Sequence, residues 1–83
     1  MDIYDFSRKL NECKGTDKTL VLTDGGQNIV IDWTEDSWVL YGMSKNIIVL
    51  FDRISCQGSK YGDLIFKGTV VANIDVSKME VVE

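Results

Sequence analysis

The side chains best equipped to do chemistry are the carboxylates Asp32, Glu35 and Asp36, which fall within five consecutive positions. Paired carboxylates can divide acid and base work when they face each other across a cleft and one of them keeps its proton near neutral pH. The spacing works against that here. Glu35 and Asp36 sit inside Thr34-Glu35-Asp36-Ser37, a run that reads as a tight turn, and a turn offers solvent rather than a cleft. The commonest alternative base is missing, because the chain has no histidine.

The two cysteines, Cys13 and Cys56, lack CxxC spacing and are too few for a disulfide framework or a zinc site. A nucleophilic Cys56 would need Lys60 or a helix N-terminus to lower its pKa, and nothing in the pattern supplies that arrangement. Two reduced thiols are expected, with one disulfide left open. Asp24-Gly25-Gly26 lacks the alternating oxygen ligands and late glutamate of an EF-hand. Gly58-Ser59-Lys60-Tyr61-Gly62 lacks the spacing and following helix of a phosphate loop. No metal and no cofactor is expected, and the chain reads as a non-enzyme.

Charge narrows the partners. Nine basic and 13 acidic residues give a net charge of −4, and the longest basic run is Arg8-Lys9. Phosphate-binding surfaces gather Lys and Arg, so direct nucleic-acid binding is not expected. An anionic membrane is disfavoured for the same reason. The longest apolar run, Ile47-Ile48-Val49-Leu50-Phe51, is too short to span a bilayer. The acidic start Met1-Asp2-Ile3-Tyr4-Asp5 is unlike a signal peptide, so a cytoplasmic protein is expected. A protein partner with a basic surface fits the charge.

These groups must be carried by one small fold. The 83 residues, 45% apolar and 27% charged, suit a single folded domain over 1–83. Ile3, Phe6, Leu10 and Cys13 share a helical face, so residues 2–14 are predicted as a helix, with Asp2 as cap and Gly15 as stop. Residues 19–75 alternate as strands. Gly25-Gly26 closes a hairpin that pairs Leu22 with Ile29 and Leu20 with Ile31. The next turn pairs Trp33 with Trp38 and Ile31 with Leu40. A turn over 42–46, a strand Ile47–Ile54 with Ile47, Val49 and Phe51 inward, and a loop Ser55–Asp63 follow. A strand Leu64–Asp75 would place Leu64, Phe66, Val70, Ala72 and Ile74 on one face, with Gly68 a bulge or bend. Residues 76–83 form a short strand or a tail. The predicted class is α+β, one N-terminal helix on a five- or six-strand antiparallel meander, strongly curled as one option.

The second face of this sheet carries Val21, Val30, Val39, Tyr41, Ile48 and Leu50 beside Thr19, Thr23, Asn28, Asp32 and Asp52. A solvated face alternates to polar residues more cleanly. Three accounts stay open: a curl that encloses both faces, a homodimer that buries Val30, Val39, Tyr41, Ile48 and Leu50, or another protein docked there. Trp33 and Trp38 read as cross-strand core partners. The functional alternative makes Trp38 an edge anchor beside Glu35 and Asp36. Tyr61, beside Lys60 in the longest predicted loop, is a further recognition candidate.

The profile of a tiny, acidic chain without a catalytic set is similar to that of phage-encoded inhibitors and toxin-neutralising proteins. That resemblance is compositional and covers no motif. The expected function is a small acidic protein-binding module, of the inhibitor type, that blocks a basic site on its target. The contact residues would be Asp32, Glu35, Asp36, Trp38, Tyr41 and Tyr61. The alternative is an assembly protein that self-associates through the second sheet face.

Overall fold

The chain opens with an amphipathic helix because Ile3, Phe6, Leu10 and Cys13 repeat at helical spacing and Asp2 can satisfy the first free amides. In the computed structural model, which describes residues 1–42 and 48–82, this is α1 (Ile3–Cys13). The Asp2 carboxylate accepts from Tyr4 N at 2.6 Å and Asp5 N at 3.2 Å. Gly15, at φ 74°, turns the chain out of the helix.

The strands form two antiparallel sheets, five strands and three. The first is β1 (Leu20–Asp24), β2 (Gln27–Thr34), β3 (Ser37–Gly42), β4 (Ile48–Phe51) and β8 (Met79–Val81), in the order β4-β3-β2-β1-β8. The second is β5 (Arg53–Cys56), β6 (Tyr61–Phe66) and β7 (Thr69–Asp75). The α+β class with a helix on a curled, unclosed antiparallel sheet is therefore as expected. The hairpin register is also as read from the turns: Leu22 opposes Ile29, Leu20 opposes Ile31, Trp33 opposes Trp38 and Ile31 opposes Leu40. Both glycines of Gly25-Gly26 take positive φ, 58° and 92°, which the tight hairpin requires.

Three segments differ from the sequence reading. The expected strand Ile47–Ile54 breaks at Asp52, whose amide donates to Ile65 O at 2.8 Å. The chain leaves the first sheet there and enters the second as β5. Ile47 and the turn residues 43–46 lie outside the described residues. The expected strand Leu64–Asp75 is a hairpin, β6 and β7, joined at Lys67-Gly68 with φ 51° and 84°. Lysine seldom takes a left-handed conformation. Here Asp52 Oδ2 accepts from Lys67 N at 3.1 Å and holds the turn. A bulge between Leu64 and Ile65 shifts the register, so Val70 opposes Ile65 and is exposed rather than inward. The predicted loop 55–63 shrinks to 57–60. Tyr61 belongs to β6.

The segment after Asp75 is a strand with an anchor rather than a tail. Val76 and Met79 are buried, and β8 pairs with β1 at Leu22–Val81, Thr23–Glu80 and Asp24–Met79. One cluster of buried side chains joins Ile3, Phe6, Leu10 and Cys13 of α1 to Leu20, Leu22, Ile31, Trp38 and Phe51 of the larger sheet. Leu64 and Ile74 reach it from the smaller sheet. The helix lies close on β6: a Cβ added at Gly62 would sit 2.9 Å from Ile3 Cδ1 and 3.1 Å from Ile54 Cδ1. No described helix is long and apolar enough to cross a membrane.

Candidate protein-interaction face

Directly opposed residues in an antiparallel pair share a face. With the helix and smaller sheet packed on one side of the five strands, the other side keeps every residue of the opposite parity. Register places Val21, Val30, Tyr41 and Ile48 in one row across β1, β2, β3 and β4. Val82 joins it because its amide donates to Val21 O at 2.8 Å, beside the Leu22–Val81 pair. Val39 and Leu50 oppose each other in the adjacent row, which also holds Thr19 and Asp32. Val30, in the middle of the row, is buried at 8% exposure, whereas Ile48 is 67% exposed and Leu50 42%. The face is thus open at its β4 end.

Asp32 is built into this face. Thr19 Oγ1 donates to Asp32 Oδ1 at 2.6 Å and Tyr41 Oη donates to Asp32 Oδ2 at 2.7 Å. Both donors are neutral hydroxyls, and they fix the carboxylate's orientation from Tyr41 of β3 and from Thr19 just before β1. The same hydrogen bond favours the neutral Tyr41 phenol and pushes its pKa above the ordinary value of 10.0, with burial and the Asp32 charge adding to the shift. A raised folded-state value means this interaction stabilises fully below the unfolded value and is lost as pH rises through the folded value. A phenolate absorbance titration is therefore expected to show one tyrosine ionising late. Tyr41→Phe should remove that late step and flatten the alkaline fall in stability. If the late step persists in Tyr41→Phe, the Tyr41–Asp32 bond is not its origin.

The structure separates the residues that the sequence grouped. Glu35 and Asp36 are exposed in the two-residue turn between β2 and β3, with Glu35 at φ 55°. They lie at the end of the hairpin rather than on the open face with Asp32. Tyr61 is exposed on the other sheet, opposite Asp75. Trp38 is no surface anchor: it is 4% exposed, its Nε1 donates to Leu10 O at 3.2 Å, and its ring stacks on Phe51 at 5.4 Å. Its inward parity, opposite Trp33 and Phe51, puts it in the core. Lys14 Nζ lies 5.5 Å from the Trp33 ring centroid and 5.8 Å from that of Trp38, closing the pair from the helix end.

Sequence reasoning missed Glu80 and Val82, which join the face only through the β1–β8 pairing. Alternation in Met79-Glu80-Val81-Val82 was their sole local signal. Both cysteines are free thiols, and burial pushes the Cys13 thiol up. Among the described residues, no three His, Cys, Asp or Glu side chains are grouped to hold a metal ion.

No family model matches the chain, and neither a curated protein nor a solved structure matches it.

Proposed function

We propose that this protein is a small, acidic, non-enzymatic binding module that docks another protein on the open face of its five-stranded sheet, as an inhibitor covering a basic site would. The observation that carries this reading is the row Val82, Val21, Val30, Tyr41 and Ile48. It carries no charged side chain, yet the chain's own helix and second sheet pack on the opposite side. Uncovered apolar surface of this kind marks interfaces in soluble proteins. The charged groups on the five strands of this face are Asp32 and Glu80, with no lysine or arginine among the described residues. A basic partner meets them favourably. A second copy docked face to face would set Asp32 and Glu80 against like charges, which favours a different protein over self-association. Exposed placement of Glu35 and Asp36 in a turn supports the non-enzymatic reading.

Ile48→Lys with Leu50→Lys tests this directly. Both positions are exposed, so stability is expected to change by no more than about 1 kcal/mol. Light scattering of the unmodified protein should give the mass of a monomer across a concentration series at low and high salt. The double variant should lose a partner that the unmodified protein retains, and the association rate of that partner should fall roughly tenfold or more with added salt. A concentration-dependent dimer that the double variant dissociates would instead assign the face to self-assembly.

A further inference from the structure

Resting on the proposal that the open face binds another protein, we infer that its occupant is a basic amphipathic helix laid across the strands. The apolar row runs from Ile48 of β4 to Val82 just past β8, and four strand spacings of about 4.8 Å give a length of roughly 19 Å. At 1.5 Å rise per residue that matches about 13 helical residues. The acids lie on both sides of the row. Asp32 belongs to the flanking row that runs Thr19, Asp32, Val39 and Leu50, and Glu80 to the opposite one, which it shares with Thr23 and Asn28. A surface with an apolar centre line and a carboxylate on each flank matches a helix with an apolar stripe bordered by Lys or Arg on both edges.

The geometry argues against the other occupants. An extended segment gains its main-chain hydrogen bonds by lying parallel to the strands at a sheet edge, whereas this row runs across them. Among the described residues a second copy has one helix to offer, and the apolar face of α1 is already consumed: Ile3, Phe6, Leu10 and Cys13 are all buried. Asp32 is ready to receive a cation. Its two neutral donors fix its carboxylate and leave lone pairs free for a Lys or Arg.

The test uses the full chain and three synthetic peptides of about 16 residues. The first carries Leu at i, i+3, i+4 and i+7 spacing with Lys on both borders of the stripe. The second replaces each Lys by Glu. The third scrambles the first. Binding is followed by peptide fluorescence anisotropy at two salt levels. The Lys helix is expected to bind at least tenfold more tightly than either control. Ile48→Ser and Glu80→Lys should each weaken it about tenfold, because one shortens the apolar row and the other reverses a flanking charge. Val70→Ser, on the second sheet, should leave binding unchanged. Equal binding of the Lys and scrambled peptides, or unaltered binding by Ile48→Ser and Glu80→Lys, overturns the inference. If the Lys helix fails while the protein stays monomeric, the helical occupant is wrong and the binding-module reading survives. If the protein is a dimer that Ile48→Lys with Leu50→Lys dissociates, both fall together.

Discussion

Trp38→Ala is expected to cost about 3–5 kcal/mol. A chain of 83 residues holds a net stability on the order of 4–12 kcal/mol, so one such loss removes at least about a quarter of the margin and, at the low end of that range, all of it. The indole is 4% exposed, stacks on Phe51 at 5.4 Å and meets Trp33 edge-on at 4.9 Å. Those aromatic pairs add to the transfer and cavity terms. The Nε1–Leu10 O bond contributes less, because Leu10 O also accepts from Lys14 N at 3.1 Å and is not orphaned when the indole goes. Urea unfolding followed by the remaining Trp33 fluorescence checks this. At a slope near 1 kcal/mol/M the midpoint should fall by roughly 3 M or more. Trp38→Phe keeps the stack and should lose about 1–3 kcal/mol. A loss below 1 kcal/mol for Trp38→Ala would return Trp38 to the surface and to the list of partner contacts.

That prediction separates two kinds of aromatic and acidic residues that look alike in sequence. Trp38 and Tyr41 sit three residues apart on one strand, and parity alone sends one to the core and the other to the open face. Asp32 and Asp36 are both turn-proximal acids. Register gives Asp32 two hydrogen-bond donors and leaves Asp36 in solvent. The open face is a consequence of which side of the sheet the helix chose.

The local part of this architecture was legible because local rules set it. Helical spacing at Ile3, Phe6, Leu10 and Cys13 and the Gly25-Gly26 turn fix the helix and two hairpins, and with them the inward and outward sides of β1, β2 and β3. The unusual apolar content of the second face was visible for the same reason. What escaped depends on distant groups. Lys67-Gly68 is a hairpin turn because Asp52, fifteen positions earlier, holds the Lys67 amide. The β4–β5 break was written in Ile48-Val49-Leu50-Phe51-Asp52-Arg53-Ile54-Ser55-Cys56: inward residues change from odd to even positions at Asp52, and a single long strand cannot keep both phases inward. The pairing of β8 with β1 joins residues nearly sixty positions apart, and no turn between them announces it. Glu80 and Val82 therefore entered the face only with the structure.

The dependence of both sheets on one helix leads to the second large effect. Phe6→Ala should also cost about 3–5 kcal/mol, and it should destabilise the two sheets together. Phe6 lies between Ile3 and Leu10 on the buried side of α1 and is itself fully buried. At one end of the helix Ile3 packs over Gly62 of β6, and its amide donates to Ser59 O at 2.7 Å. Toward the other end Leu10 O receives the Trp38 indole of β3. The helix thus clamps the small sheet with its first turn and the large sheet with its last. Outside that clamp the sheets share the Asp52 crossing and the buried side chains beneath the helix. A cavity at Phe6 weakens both grips at once. Native-state amide exchange reads this directly. Protection of the slowest amides in β2 and in β6 should fall by the same factor, about two to four decades for a loss of 3–5 kcal/mol. Phe6→Leu, which keeps most of the volume, should cost about 1.5 kcal/mol or less and preserve the equality. If β6 and β7 lost protection while β2 and β3 kept theirs, the helix would belong to the small sheet alone. The five-stranded sheet, and with it the open face, would then hold its shape without the helix behind it.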